Sequence, residues 1–319
     1  MKLKLLLLLI VPIFAFSQGA NNVYFWSMKV ANYIYLYDSA VYITSSDADM
    51  DLVSDGTIDL TATTSIDLAT DVVTQGDGFW EGAPSMAMND PANAFFYFND
   101  FVGEITLPTA TGAANGWQAT GDATYDVLSA AGTLGGWCLL APEAGSNNEV
   151  YFQMGHLGTE TYVECTASSG KEWWLEFNLT PSSVTNAASW FVGLADESAE
   201  AGNFINDDGN DFADEDVILM GVFEGDPNGL QALWQTTGAA FDTASSGTVD
   251  ITAKNYTLGF HFDGVTTLSY YVDGSVLATQ DISATGFPDT EELSPIIAMK
   301  QGASAININL DWIKLIAER

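Results

Sequence analysis

Between Asn255 and Asp281 the chain reads NYTLGFHFDGVTTLSYYVDGSVLATQD, three runs in which apolar and polar residues alternate. A period of two places every second side chain on the same face of a strand. Tyr256, Leu258, Phe260 and Phe262 therefore share a face of the first run, and Leu268, Tyr270 and Val272 share a face of the second. The runs break at Asp263-Gly264 and Asp273-Gly274, dipeptides that accept the positive φ values of a two-residue hairpin turn. The stretch predicts a three-stranded meander with one apolar face, and burying that face requires a second sheet.

The same pattern predicts strands at 94–98, 124–128, 136–141, 149–154, 172–179, 188–194, 216–224, 230–236, 296–300 and 305–316. Turn residues separate them at irregular intervals of about ten residues, as in an all-β sandwich. No window carries capped helical periodicity. Nearer the N-terminus, blocks of eight from Tyr42 read YITSSDAD, MDLVSDGT, IDLTATTS and IDLATDVV, with Asp51, Asp59 and Asp67 each preceding a leucine. Each block is a short strand and a turn, too small to bury anything alone. Such units gain stability by pairing with copies from other chains, which predicts an oligomerisation segment, most simply trimeric, although an ordinary meander lying on the main domain fits the same residues. Residues 74–93 are rich in Gly, Pro, Asn and Asp and read as a linker. The expected organisation is a leader at 1–17, a β-repeat segment at 18–75, a linker at 76–93 and a sandwich at 94–319.

Composition narrows the partners. Eight Lys and Arg stand against 42 Asp and Glu, a formal charge of −34. Such a field repels nucleic acid and anionic lipid, and a solvated acidic surface is its plainest meaning. Residues 1–17, MKLKLLLLLIVPIFAFS, combine a basic start, an apolar run and a small-residue site. That is the pattern of a secretory signal peptide, and no other segment reads as membrane-spanning. An extracellular location follows, in which Cys138 and Cys165 could form a disulfide; two buried free thiols are the other reading.

The stretches FYFNDFVGE (96–104), LGGWCLLAP (134–142), KEWWLEFNLT (171–180), WFVGLAD (190–196), the meander and the closing DWIKLIAE resemble concanavalin A-like jelly-roll domains. More narrowly they resemble the version found in structural proteins of tailed-phage virions, and the octad segment resembles β-repeat pieces of phage fibres. The resemblance implies an antiparallel β-sandwich and a non-catalytic display protein on a virion or extracellular surface. Such a protein meets a glycan, capsid or other surface through weak multivalent contacts. A secreted lectin-like protein is the alternative.

Glucanases of this fold carry Glu-x-Asp-x-(x)-Glu on one strand, and no such strand occurs in this chain. Glu172 and Glu176 are four residues apart, on the order of 13 Å at strand rise, too wide for either glycosidase geometry. Asp214 and Asp216 lack a third carboxylate, and His156 and His261 lack a nucleophile elbow. Trp173 alternates with Leu175, Phe177 and Leu179 toward a core; Trp174 and Glu176 face the other way, where an aromatic ring beside polar groups can stack on a sugar. Trp234 and Tyr271 are candidates of the same kind. The loop NDDGNDFADED (206–216) gathers Asp207, Asp208, Asp211, Asp214 and Asp216 with Glu215. Hard oxygen ligands at that density suit Ca²⁺, though a solvated loop explains them equally and the spacing is not that of an EF-hand.

Overall fold

In the computed structural model, described residues are 42–46, 49–53, 79–80, 83, 94–101, 112–114, 116–121, 125–129, 136–143, 145–155, 162–182, 188–196, 199, 204–207, 211–213, 215–225, 229–249, 254–289, 291–302 and 306–319. The leader thus lies outside them, as do Asp208 and Asp214 of the acidic loop. The chain divides into two compact units, Met1–Ala69 and Thr70–Arg319. In the first, β1 (Tyr42–Ser46) pairs antiparallel with β2 (Asp49–Val53), Tyr42 opposite Val53 and Ser46 opposite Asp49. The first of the octads and the start of the second therefore pair with each other as a hairpin.

In the second unit the strands are β3 (Ala94–Asn99), β4 (Gly112–Ala114), β5 (Trp117–Gly121), β6 (Tyr125–Ser129), β7 (Cys138–Pro142), β8 (Glu149–Met154), β9 (Val163–Glu164), β10 (Trp173–Pro181) and β11 (Ala188–Ala195). They continue as β12 (Val217–Val222), β13 (Leu230–Gln235), β14 (Asp242–Val249), β15 (Tyr256–Phe262), β16 (Thr267–Val272), β17 (Ser275–Asp281), β18 (Glu292–Gln301) and β19 (Ile308–Glu318). An eight-stranded sheet runs β17-β16-β15-β10-β19-β7-β6, with β3 also on β19; a nine-stranded sheet runs β14-β13-β12-β11-β18-β8-β5-β4, with β9 also on β18. Every pairing is antiparallel, as the all-β sandwich expectation requires. The expected strand positions are mostly met; β4, β5, β9 and β14 are additions that the alternation did not mark.

One core lies between the sheets. The eight-stranded sheet contributes Trp173, Leu175, Phe177, Leu179, Tyr256, Leu258, Phe260, Phe262, Leu268 and Tyr270; the nine-stranded sheet contributes Trp117, Phe152, Trp190, Val192, Met220, Ile297 and Met299. The meander buries the face its alternation predicts, and Trp173 lies in the core as expected.

The two Asp-Gly breaks differ. Val272 pairs with Ser275, so Asp273 (φ 51°) and Gly274 (φ 77°) form the expected two-residue turn. Phe262 instead pairs with Leu268, so the first connection holds more than two residues. There Asp263 Oδ1 accepts the backbone N–H groups of Val265, Thr266 and Thr267 at 2.8, 2.9 and 2.8 Å. A side chain that replaces turn hydrogen bonds in this way stabilises the longer loop.

The outer face of the nine-stranded sheet is also apolar. Tyr151, Phe191, Leu219, Leu233 and Ile296 are covered by Phe204, Ile205, Phe212 and Phe223. On the outer face of the eight-stranded sheet, Trp174, Ile316 and Ala94 are buried with Phe79 and Ala83. The expected linker thus supplies residues that pack on the sandwich.

Candidate functional site

The outer face of the eight-stranded sheet brings together a buried carboxyl, an ammonium and several aromatic rings. Antiparallel register sets Lys314 opposite Glu176, Glu176 opposite Gly259, and Gly259 opposite Tyr271. The neighbouring row holds Ile316, Trp174, His261 and Ser269, and on the other side Asn178 lies between Trp312 and Thr257. Strand alternation directs this whole set away from the core.

Phe79 lies directly on that row. A Cβ on Gly259 would come within 2.6 Å of its ring, so only glycine lets the aromatic reach the backbone there. Phe79 meets Tyr271 edge-on at 4.8 Å between centroids and Trp80 likewise at 4.8 Å. Trp80 Nε1–H donates to Glu176 Oε2 at 2.9 Å. Lys314 Nζ sits 3.5 Å from the centroid of the Trp80 ring, a cation-π contact. Burial pushes the Glu176 carboxyl up to about 7, opposed by the Trp80 hydrogen bond and by Lys314. Burial in turn lowers the Lys314 ammonium, with Glu176 working against it.

Trp174 faces outward from the sheet, as alternation predicts, yet it is 0% exposed. It stacks on His261 at 4.8 Å and 10° and is covered by the cluster that contains Phe79. The reading of Trp174 as an open sugar platform is thus corrected: residues far away in sequence roof it over. Trp234 is corrected as well, because it lies on the inner face and packs against Phe287 at 6.0 Å. Tyr271 is half-buried beside Phe79. Burial lowers the His261 imidazole, with Asp263 opposing. At neutral pH its 3.5 Å approach to Glu172 Oε2 is therefore a contact of a neutral ring, not an ion pair.

Alternation did not single out the aromatic pair that is open. Phe98, on β3, is 48% exposed and stands 6.4 Å from the half-buried Trp312 ring, tilted by 44°. Here β19 bulges. Asn178 pairs with Trp312 and Leu179 with Leu310, which leaves Asp311 as the extra residue. Bulges re-aim side chains and recur beside functional sites. Burial, with the nearby Asp100 adding to it, raises the Asp311 carboxyl. The sequence signal available for this pair was DW in the closing strand, which was read only for its fold.

A cavity of about 200 Å³ opens at the end of the sandwich, lined by Glu164, Glu172, Glu292, Glu318, Lys171 and Trp173 among others. Burial, then Glu318 and Asp263, raises the Glu172 carboxyl.

Within the acidic loop, the described carboxylates turn to separate partners. Asp207 Oδ1 accepts from Lys300 Nζ at 2.9 Å, while Asp211 Oδ1 accepts the N–H of Phe212. Asp216 Oδ1 accepts from Thr236 Oγ1 at 2.5 Å and the Thr237 N–H at 3.0 Å, and its Oδ2 from Thr237 Oγ1 at 2.7 Å. Three of the proposed Ca²⁺ ligands are thus committed to three different partners, and among the described residues no cluster of three or more His, Cys, Asp or Glu could hold a metal. Lys300 is 2% exposed and also donates to Glu149 Oε2 at 2.9 Å and to the Ile205 carbonyl at 2.6 Å. Tyr151 OH donates to the same Glu149 oxygen. This network pins the 204–207 segment to the nine-stranded sheet.

Cys138 and Cys165 are both buried and unbridged, so of the two readings the pair of free thiols is the one met. Each fills the core as a small apolar side chain, and burial pushes both thiols far above their ordinary range.

No protein-family model matches the chain, and no curated protein matches it. Solved structures do. A protein of unknown function from Shewanella oneidensis MR-1 is 19% identical over 71% of this chain and 87% of its own, with a TM-score of 0.45. The carbohydrate recognition domain of Emp47p is 13% identical over 71% and 97%, TM-score 0.46. A glycoside hydrolase family protein from Mycobacterium thermorestibile is 11% identical over 69% and 99%, TM-score 0.44.

Proposed function

We propose that the sandwich is a non-catalytic carbohydrate-recognition module of a protein displayed on an extracellular or virion surface. The observation that carries this reading is the open Phe98–Trp312 pair, with the Asp311 carboxyl beside it at the bulge. Aromatic faces flanked by donors and acceptors suit a pyranose, whose apolar C–H face stacks while its hydroxyls bond outward. Assembly through residues 18–75, as a trimer, would raise weak contacts to useful avidity.

A glycan array tests the reading. The protein is expected to retain a defined set of glycans and Trp312→Ala to lose them at least ten-fold; equal binding by that variant overturns the assignment. The end cavity favours a second, hydrolytic reading, since Glu172, Glu318 and Glu292 line it together and burial raises the Glu172 carboxyl there. Release of reducing ends that disappears in both Glu172→Gln and Glu318→Gln would establish it.

A further inference from the structure

Phe79 and Trp80 lie on a face that holds buried polar atoms without partners. Trp174 Nε1, His261 Nε2 and Asn178 Oδ1 are buried on the outer face of the eight-stranded sheet and have no hydrogen-bond partner among the described residues. Buried polar groups are nearly always paired, and an orphan in a native fold calls for an explanation. Phe79, an apolar ring, can offer these atoms nothing. The Trp80 side chain donates one hydrogen bond, to Glu176. The covered surface also contains an ammonium on Lys314, a carboxyl on Glu176 and the phenol ring of Tyr271. At its centre Gly259 leaves room for a ring to lie directly on the backbone.

These features describe a binding surface filled by the chain itself. A flat apolar body fits over Gly259, and donors and acceptors stand around it, some still unused. A pyranose supplies what Phe79 cannot: hydroxyls that both donate and accept, set around an apolar face. Resting on the carbohydrate-recognition reading above, we propose that the face between Lys314 and Tyr271 is a second carbohydrate site. Phe79 and Trp80 occupy it in the free protein, and a pyranose ring displaces them. Glu176 and Asn178 Oδ1 accept from its hydroxyls, and Trp174 Nε1, His261 Nε2 and Lys314 donate to them. A ligand that must expel an internal occupant binds with its intrinsic affinity reduced by the fraction of molecules that are open.

The test uses the full chain and a panel of methyl pyranosides with cello- and laminari-oligosaccharides, titrated calorimetrically. Phe79→Ala/Trp80→Ala is expected to bind at least ten-fold tighter than the parent, and adding Glu176→Ala is expected to reverse the gain. Should the double variant not fold, as judged by its melting transition, Trp80→Phe keeps the packing and frees Glu176, with an expected gain of about three-fold. Affinity unchanged or weakened in the opened variants, with binding still abolished by Trp312→Ala, overturns the second site and leaves the recognition reading standing. If neither parent nor opened variants bind any member of the panel, both fall.

Discussion

Replacing Glu176 by glutamine separates the cost of burying this carboxyl from the benefit of its hydrogen bond. The amide oxygen can still accept the Trp80 N–H, but the side chain can no longer ionise. In the folded protein the Glu176 proton leaves near pH 7, against about 4.5 in the unfolded chain. Between those values the folded state holds a proton that the unfolded state has released. Stability from this group is therefore fully present below pH 4.5 and is lost as pH rises toward 7. At 1.36 kcal/mol per pH unit over that interval, the total is on the order of 3 kcal/mol. Glu176 is almost fully buried, so solvent screening takes little from this figure. The assay is urea denaturation of parent and variant at intervals from pH 4 to 9, reading the difference between them so that the other carboxylates cancel. The variant is expected to match the parent near pH 4.5 and to exceed it increasingly up to pH 7.5, with a plateau beyond. For a unit of this size, each kcal/mol corresponds to roughly 2–4 °C in Tm. A difference that stays flat across the range would refute both the burial of the carboxyl and the role of Trp80 as its cover.

Three further outcomes follow from the packing. Gly259→Ala drives a methyl into the Phe79 ring and is expected to cost about 1–3 kcal/mol, with a change in tryptophan emission as Trp80 moves; an unaltered spectrum and Tm would contradict the close approach. Lys300→Met takes the cation away from the buried Glu149 carboxyl, a loss of about 3–5 kcal/mol by denaturation, and Glu149→Leu added to it is expected to recover much of that. Neither Cys138 nor Cys165 is expected to react with a thiol reagent in the native protein, while both react in guanidinium without reductant; a thiol count below two would show a bridge.

How far the residues announced this structure depends on what each strand faces. The meander was legible because each run has one apolar and one polar side, and Leu258, Phe260 and Tyr270 lie where the pattern puts them. Trp234 was not, because every residue of β13 is buried and a strand covered on both faces has no polar side to reveal its orientation. Trp174 was assigned the correct face and the wrong environment. Alternation reports direction, whereas exposure depends on Phe79, nearly a hundred residues earlier in the chain. The choice between a disulfide and two free thiols stayed open, because a compartment suggested by the leader says nothing about where two strands place their sulfurs. The acidic loop misled by density: carboxylates adjacent in sequence can each turn to a separate partner, as Asp207 and Asp216 do. The open Phe98–Trp312 pair depends on a bulge, which has no signature in a strand read as regular alternation.

The contact between Phe79 and Gly259 also constrains how such a sequence can drift. The glycine is required only while an aromatic ring lies on it, and the ring can lie there only while the position has no side chain. Gly259 cannot change first without strain, whereas loss of the aromatic at 79 costs only the packing that the ring supplied. Among descendants of this chain, any that lose the aromatic at 79 are released at 259 and should accumulate β-formers such as Thr or Val there. A side chain at 259 in a relative would thus mark, from sequence alone, a sandwich whose outer face is no longer roofed.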